Sequence, residues 1–205
     1  MISPSPKVSG IILAAGKAER MDKAKQLLPF RGTTILGQVS KNASESSLHE
    51  VLVVLGYAAE EIRQVIDFGR AQIVINPNYA DGQSASLKAG LSAISDESVA
   101  ALFLLGDQPL IGAEVIDAIL EKYCVAPAPI VIPTYSGTRG NPVLIDRALF
   151  PRIKSLKGDV GARVLFDEYA DQLQEIEMGN EYLAFDVDTR GDYARLIEME
   201  RETAG

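Results

Sequence analysis

Short uncharged runs, each closed by small residues or turn formers, recur along this chain and restrict its fold more than any other feature. Val8 to Leu13 ends in Ala14, Ala15 and Gly16. EVLVVLG follows around Val51 to Leu55, then AQIVINP closed by Pro77, then Val99 to Leu105 closed by Gly106-Asp107-Gln108-Pro109. Runs of this length without charge read as strands covered on both faces, the situation of a parallel sheet flanked by helices. Helical spacing fills the intervals. Thr33 and Thr34 precede Ile35, Leu36 and Val39, which predicts a threonine-capped helix reaching Ser44; Glu60, Glu61, Ile62, Val65 and Ile66 predict another with acids in its first turn. Leu87, Leu91 and Ile94 place a helix from Ser84 to Ile94, and a fourth is expected from Ala113 to Tyr123. Strand and helix in alternation make a parallel sheet with right-handed crossovers.

Composition narrows the class. With 205 residues, 47% hydrophobic and 23% charged, the chain can bury a sizeable core, and a single domain over residues 1–205 is expected. A net charge of −8 argues against a nucleic-acid partner, so basic residues that cluster must have local work. No apolar run approaches the length of a bilayer span, and MISPSPKVSG lacks the apolar core of a signal peptide, so a cytoplasmic protein without membrane partners is expected. The one cysteine, Cys124, excludes an internal disulfide and a thiolate zinc cluster, and is expected to pack within an apolar helix. The one histidine, His49, has no G-x-S-x-G beside it and is read as structural.

After Gly16 the chain runs through Lys17, Arg20, Lys23 and Lys25. Small residues at a strand end let the backbone approach a ligand, and cations along the following loop can converge with its amides on an anion. A buried strand followed by a basic surface loop has the same pattern without a ligand, and neither G-x-x-x-x-G-K-[ST] nor G-x-G-x-x-G is present to decide. Asp107 stands at the corresponding end of its own strand, either as a hard oxygen donor for Mg²⁺ or as a turn residue ahead of the next helix. Asn76 to Gln83 is a turn-rich loop entering a helix. There Gly82, Gln83, Ser84 and Ser86 either present amides and hydroxyls to a nucleotide or belong to an ordinary helix start. Farther along, PIVIPTYSGTRGNPVLIDRALF reads as two antiparallel strands with Arg139, Gly140 and Asn141 at the bend, and Asp159 can cap a helix carrying Val164 and Leu165. Leu183 to Val187 reads as a final strand whose alternation sends Asp186 and Asp188 to one face. There Asp188 either meets Asp107 across a pocket or, with Thr189, caps a helix from Tyr193 to Met199.

Several of these stretches resemble one family. LAAGKAERMDKAKQLLP is similar to the signature L-A-A/G-G-x-x-x-R-M-G-x-x-K-x-L-L of the MobA-like nucleotidyltransferases, which include molybdenum cofactor cytidylyltransferases and guanylyltransferases. NPNYADGQSASLKAGL resembles the family's N-P-x-x-x-x-G-x-x-x-S-L-x-x-G-L, and Gly106-Asp107-Gln108-Pro109 its G-D-x-P. The segments holding Asn141, Asp159 and Asp188 resemble G-x-x-G-H/N-P-V, G-D-x-G-A-R and D-x-D-T-P-E-D. Asp22 replaces the signature's second glycine, and Arg190 and Gly191 replace the Pro and Glu of the last motif.

That resemblance implies an α/β, Rossmann-like three-layer nucleotidyltransferase fold with a mostly parallel central sheet and one antiparallel strand. It implies that Leu13, Ala14, Ala15 and Gly16 wrap the nucleotide with Gly82, Ser84 and Ser86, while Arg20 and Lys25 hold the triphosphate. Asp107 and Asp188 would bind Mg²⁺, and Arg139, Asn141 and Asp159 would contact a pterin-like second substrate. Ala14-Ala15-Gly16 is similar to the cytidylyl branch, whereas the guanylyl branch usually has Ala-Gly-Gly. The implied reaction moves CMP from CTP to the terminal phosphate of molybdenum-molybdopterin, with Arg20, Lys25 and Asp107 as the catalytic set and a recipient molybdoenzyme as a further partner. A guanylyltransferase, a sugar-1-phosphate nucleotidylyltransferase, and a non-catalytic carrier of molybdenum cofactor are the alternatives.

Overall fold

β1 (Val8–Ala14) lies in the middle of an eight-stranded sheet and takes a parallel neighbour on each side, β4 (Glu50–Leu55) and β6 (Ala100–Leu105). The computed structural model describes residues 6–17 and 25–203. Beyond β4 the sheet ends in β5 (Gln72–Ile75). Beyond β6 come β9 (Val143–Asp146), β7 (Ile130–Tyr135) and β10 (Leu173–Glu177), and the two-residue β8 (Thr138–Arg139) is added to β7. β9 runs antiparallel to both β6 and β7, whereas β10 returns parallel to β7. Along the main path the reversed strand is therefore the expected one, and β8 is a second, short antiparallel addition.

Alternation along the central strands splits their side chains between two cores. Val8, Ile12 and Ala14 of β1, with Val51, Val53 and Leu55 of β4 and Leu102 and Leu104 of β6, face α1 (Ile35–Glu45), α2 (Ala59–Val65) and α4 (Ala113–Val125). Ile11, Val54, Ala101 and Phe103 face the other way, against α3 (Gln83–Ala93), α5 (Phe150–Ser155) and α6 (Leu165–Glu168). Helix, sheet and helix make the three layers expected. α1 starts as its sequence requires, with Thr34 Oγ1 accepting from the Gly37 amide at 3.0 Å. A satellite core of Phe30, Ile35, Val187 and Leu196 joins the small hairpin β2 (Pro29–Phe30) and β3 (Thr33–Thr34) to the last helix, α7 (Arg190–Thr203).

Two local expectations change. Leu183 to Val187 is not a strand; a 3₁₀ turn over Glu181–Ala184 leads into extended chain that joins no ladder. The last strand is instead β10, whose sequence LQEIE carries two acids and too little apolar patterning to be read as a strand. Cys124 is exposed, because α4 turns Val115, Ile116, Ile119 and Tyr123 inward. His49 is exposed, and its backbone amide donates to the Val8 carbonyl at 2.9 Å. No helix among the described residues is long and apolar enough to cross a membrane.

Candidate functional site

Parallel neighbours end at the same edge of a sheet, so the carboxyl ends of β1 and β6 deliver Ala14 to Gly16 and Gly106-Asp107 side by side. Their approach is close: the Gly106 amide donates to the Leu13 carbonyl at 3.0 Å, and a Cβ on Gly106 would come within 2.8 Å of the Ala14 methyl. A cleft of 670 Å³ opens over this junction, within the usual range for small-molecule sites. Its lining takes in Leu13, Ala14, Ala15, Gly16, Lys17, Lys25 and Gln26 from the signature stretch, Gly82, Gln83 and Ser86 from the start of α3, and Asp107 and Asp159. A cleft of 710 Å³ lies elsewhere, between the start of α4 and α7, away from these strand ends.

In the lining of the first cleft Lys25 is shared by two carboxylates, Asp107 of the same lining and Asp188, which is exposed and lies outside it. Its Nζ donates to Asp107 Oδ2 at 2.5 Å and to Asp188 Oδ1 at 2.8 Å. Burial by itself pulls the Lys25 pKa down, but Asp107 and then Asp188 outweigh it and hold the ammonium above the ordinary lysine value. Asp186 joins the acidic group from the same segment as Asp188. Its outer edge is open to solvent, yet its inner side is crowded, and burial followed by the Asp107 charge pushes its pKa up to about 6 against the pull of the Gln108 hydrogen bond. Asp107 Oδ1 is buried and has no hydrogen-bond partner among the described residues, so a hard acceptor is left without a donor from them. Among the described residues no three acidic, histidine or cysteine side chains converge as a complete metal cage. Two carboxylates completed by phosphate oxygens and water are the usual arrangement for a magnesium nucleotide, and Asp107 with Asp188 fits it.

The start of α3 is built differently from the expectation. Gly82, with φ +94°, makes a backbone-to-backbone contact in which any Cβ would fall 2.5 Å from the Asp159 amide. Asp159 then caps α3 rather than its own following helix: its Oδ1 accepts from the Gln83 amide at 3.2 Å, and the Gly158 carbonyl accepts from the Ser84 amide at 3.3 Å. Ser84 is 1% exposed and turns away from the cleft, whereas Ser86 lines it and accepts from Asn76 Nδ2 at 3.1 Å. These first amides of α3 are thus satisfied by the chain itself, which leaves Gly82, Gln83 and Ser86 as its contribution to the cleft.

A recess of 240 Å³ adjoins the cleft, sharing Leu13, Gln83 and Leu105 with it. Leu87, Phe103 and Val143 make its walls apolar, and Asn141 and Arg163 supply polar groups. Asn141 is 7% exposed and precedes the cis peptide to Pro142. Arg139 lines neither cavity; it sits exposed on β8 and pairs with Glu175 at 2.7 Å. The strand β10 that supplies Glu175 has too little apolar patterning to leave a sign of this pairing in the sequence. Arg20 and Asp22 lie outside the described residues.

This combination of strand-end cleft, lysine and paired carboxylates can be set against known proteins. A family model described as the MobA-like NTP transferase domain matches residues 10–173. The chain belongs to the MobA-like NTP transferase family. It is therefore a nucleotidyltransferase by family, and its relatives are varied. It is 31% identical over 201 residues to nicotine blue oxidoreductase of Paenarthrobacter nicotinovorans, covering 94% of this chain and 97% of that protein. It is 28% identical over 200 residues to molybdenum cofactor cytidylyltransferase of Escherichia coli strain K12, covering 94% and 96%. Among solved structures it is similar to Rv0371c of Mycobacterium tuberculosis H37Rv in complex with manganese, with a TM-score of 0.81, 27% identity and coverage of 95% and 99%.

The MobA-like signature named Leu13, Ala14, Ala15, Gly16 and Lys25 together, and these residues all line one cleft. Residues passed over by the motif also line it. Lys17 reaches it while its ammonium lies 5.9 Å from the Tyr57 ring centre, and Gln26 is tucked beneath the strand end, donating to the Ala14 carbonyl at 3.3 Å and the Gly16 carbonyl at 3.4 Å. Lys17 was visible as a cation in the loop. Gln26 carried no signal, since a neutral residue beside Lys25 has no periodic or motif reason to be picked.

Proposed function

We propose that this member of the family transfers CMP from CTP to the terminal phosphate of a molybdenum-molybdopterin acceptor, with Mg²⁺ as the ion. The observation that carries the reading is Lys25, in the cleft lining, held between Asp107 of the same lining and the exposed Asp188 beside it. In this reading the backbone from Ala14 to Gly16 wraps the nucleotide, Lys17 and Lys25 with Arg20 offset the triphosphate charge, and Asp107 and Asp188 hold the ion. Bound there, the ion would draw charge from the phosphate oxygens. The acceptor phosphate attacks the α-phosphorus; one P–O bond forms, the bond to the β-phosphate breaks, and pyrophosphate leaves. A terminal phosphate is largely ionised near neutral pH, so no protein base is required, and Asn141 orients rather than moves a proton. The adjoining recess, with walls of Leu87, Phe103 and Val143, suits a flat ring system better than a hydroxyl-rich sugar and so favours a pterin acceptor.

Pyrophosphate release measured with each labelled NTP, Mg²⁺ and molybdenum cofactor tests the proposal. CTP should be consumed in preference to the others. Preference for GTP would replace the cytidylyl assignment, a sugar 1-phosphate as the better acceptor would replace the pterin, and tight cofactor binding without pyrophosphate would leave a carrier.

A further inference from the structure

Gln108 lies in the Gly106-Asp107-Gln108-Pro109 turn, beside Asp107 but outside the lining of the cleft. It is 3% exposed, and its carboxamide reaches out of the turn to another part of the chain: Nε2 donates to the Ala184 carbonyl at 3.1 Å and to Asp186 Oδ1 at 2.8 Å. Those bonds matter because residues 184–188 belong to no ladder. Besides them, the Val187 amide donates to the Asp107 carbonyl at 3.1 Å, and the Val187 side chain is buried in the satellite core. A strand would be registered by its whole ladder; among the described residues this segment's hydrogen bonds to the sheet go to two consecutive residues just past the end of β6.

The orientation of the amide is settled by its partners, because turning it over would set Oε1 against two acceptors. Oε1 itself is buried without a partner among the described residues, at a cost in stability that an apolar side chain of the same length would avoid. The donors of Gln108 are thus spent on aligning a segment, and that segment ends in Asp188, whose carboxylate accepts from Lys25.

We propose that Gln108 is a positioning residue, which registers residues 184–188 on the end of β6 so that Asp188 is presented to the same point as Asp107. The inference rests on the reading of these two carboxylates as the holders of a divalent ion. Gln108→Met keeps the length and removes the donors, and Gln108→Glu keeps an acceptor but places it against Asp186. Mn²⁺ binding to each full-length variant, with a non-hydrolysable CTP analogue present, is followed by electron paramagnetic resonance below the melting temperature, and both substitutions are repeated in an Asp188→Asn background. Each should weaken Mn²⁺ binding by about tenfold or more, the range seen when groups that orient metal ligands are removed. In the Asp188→Asn background the further loss should be less than about twofold, because a residue that acts through Asp188 has nothing left to place. Equal losses in both backgrounds, or unchanged Mn²⁺ affinity despite a lower melting temperature, would make Gln108 merely structural and overturn the proposal. Parent protein that binds no Mn²⁺ with the analogue would strike the metal reading itself, a failure distinct from a parent that binds and variants that match it.

Discussion

At the scale of single residues the site is governed by the contest around Lys25. Asp107 sets its position, and Asp107→Ala should lower nucleotidyl transfer by at least about a hundredfold, comparable with losing a major electrostatic stabiliser. Steady-state pyrophosphate assays check this, and a rate within a few-fold of the parent would remove Asp107 from the mechanism. His49→Ala should leave the rate unchanged, since the side chain is exposed and lines neither cavity of the site. Asp186 has a pH signature. Its pKa is raised in the fold to about 6, so the folded chain keeps a proton that the unfolded chain has released. Its contribution is fully present below the unfolded carboxyl value and is lost as pH rises through about 6. Thermal melts in chelator should therefore show Asp186→Asn gaining on the parent as pH rises from about 5 to about 7.5. A constant difference across that range would contradict the account.

At the scale of elements, the ends of helices decide which polar groups remain for chemistry. Asp188 was a candidate cap for the last helix, but the cap is Thr189: its Oγ1 accepts from the Asp192 amide at 3.1 Å, while Asp192 Oδ2 accepts from the Thr189 amide at 2.8 Å. This reciprocal pairing releases the Asp188 side chain to Lys25. Thr189→Ala should cost about 1 kcal/mol of stability, measurable by urea unfolding, because it removes one arm of the box. Asp159 shows the same logic reversed. By its own sequence context it reads as a cap for the helix that follows it, and it is taken by α3, accepting from the Gln83 amide. Neither outcome can be settled locally, since a capping residue satisfies whichever orphan amide the tertiary structure brings near.

At the scale of the whole molecule, α7 and the β2–β3 hairpin form a brace behind the cleft. Leu196 is fully buried against Phe30, Ile35 and Val187, Tyr193 Oη donates to the Pro29 carbonyl at 2.8 Å, and Arg31 forms two hydrogen bonds with Glu200. The buried leucine carries most of this attachment, because an exposed ion pair contributes little. Leu196→Ala should lower stability by about 2 to 5 kcal/mol in denaturant melts. It should also weaken metal-dependent nucleotide binding more than an Arg31→Ala control, since Val187 shares that core and Asp188 follows it directly.

The layered α/β fold, most element boundaries and the signature cluster were legible in the sequence, because burial on both faces of a parallel strand leaves an uncharged run and each helix leaves its own period. The strand-end residues Leu13 to Gly16 and Asp107 were legible for the same reason: they interrupt those runs where a parallel sheet exposes its carboxyl edge. What only the tertiary structure decided was the traffic between distant segments. It placed Lys25 between Asp107 and Asp188, gave Asp159 to α3, paired Arg139 with a strand that the sequence concealed, and tied residues 184–188 to β6 through Gln108. Periodicity records which face of an element is buried; a hydrogen bond between segments far apart in the chain leaves no periodic trace, because it depends on where two backbones come to lie and not on the spacing within either.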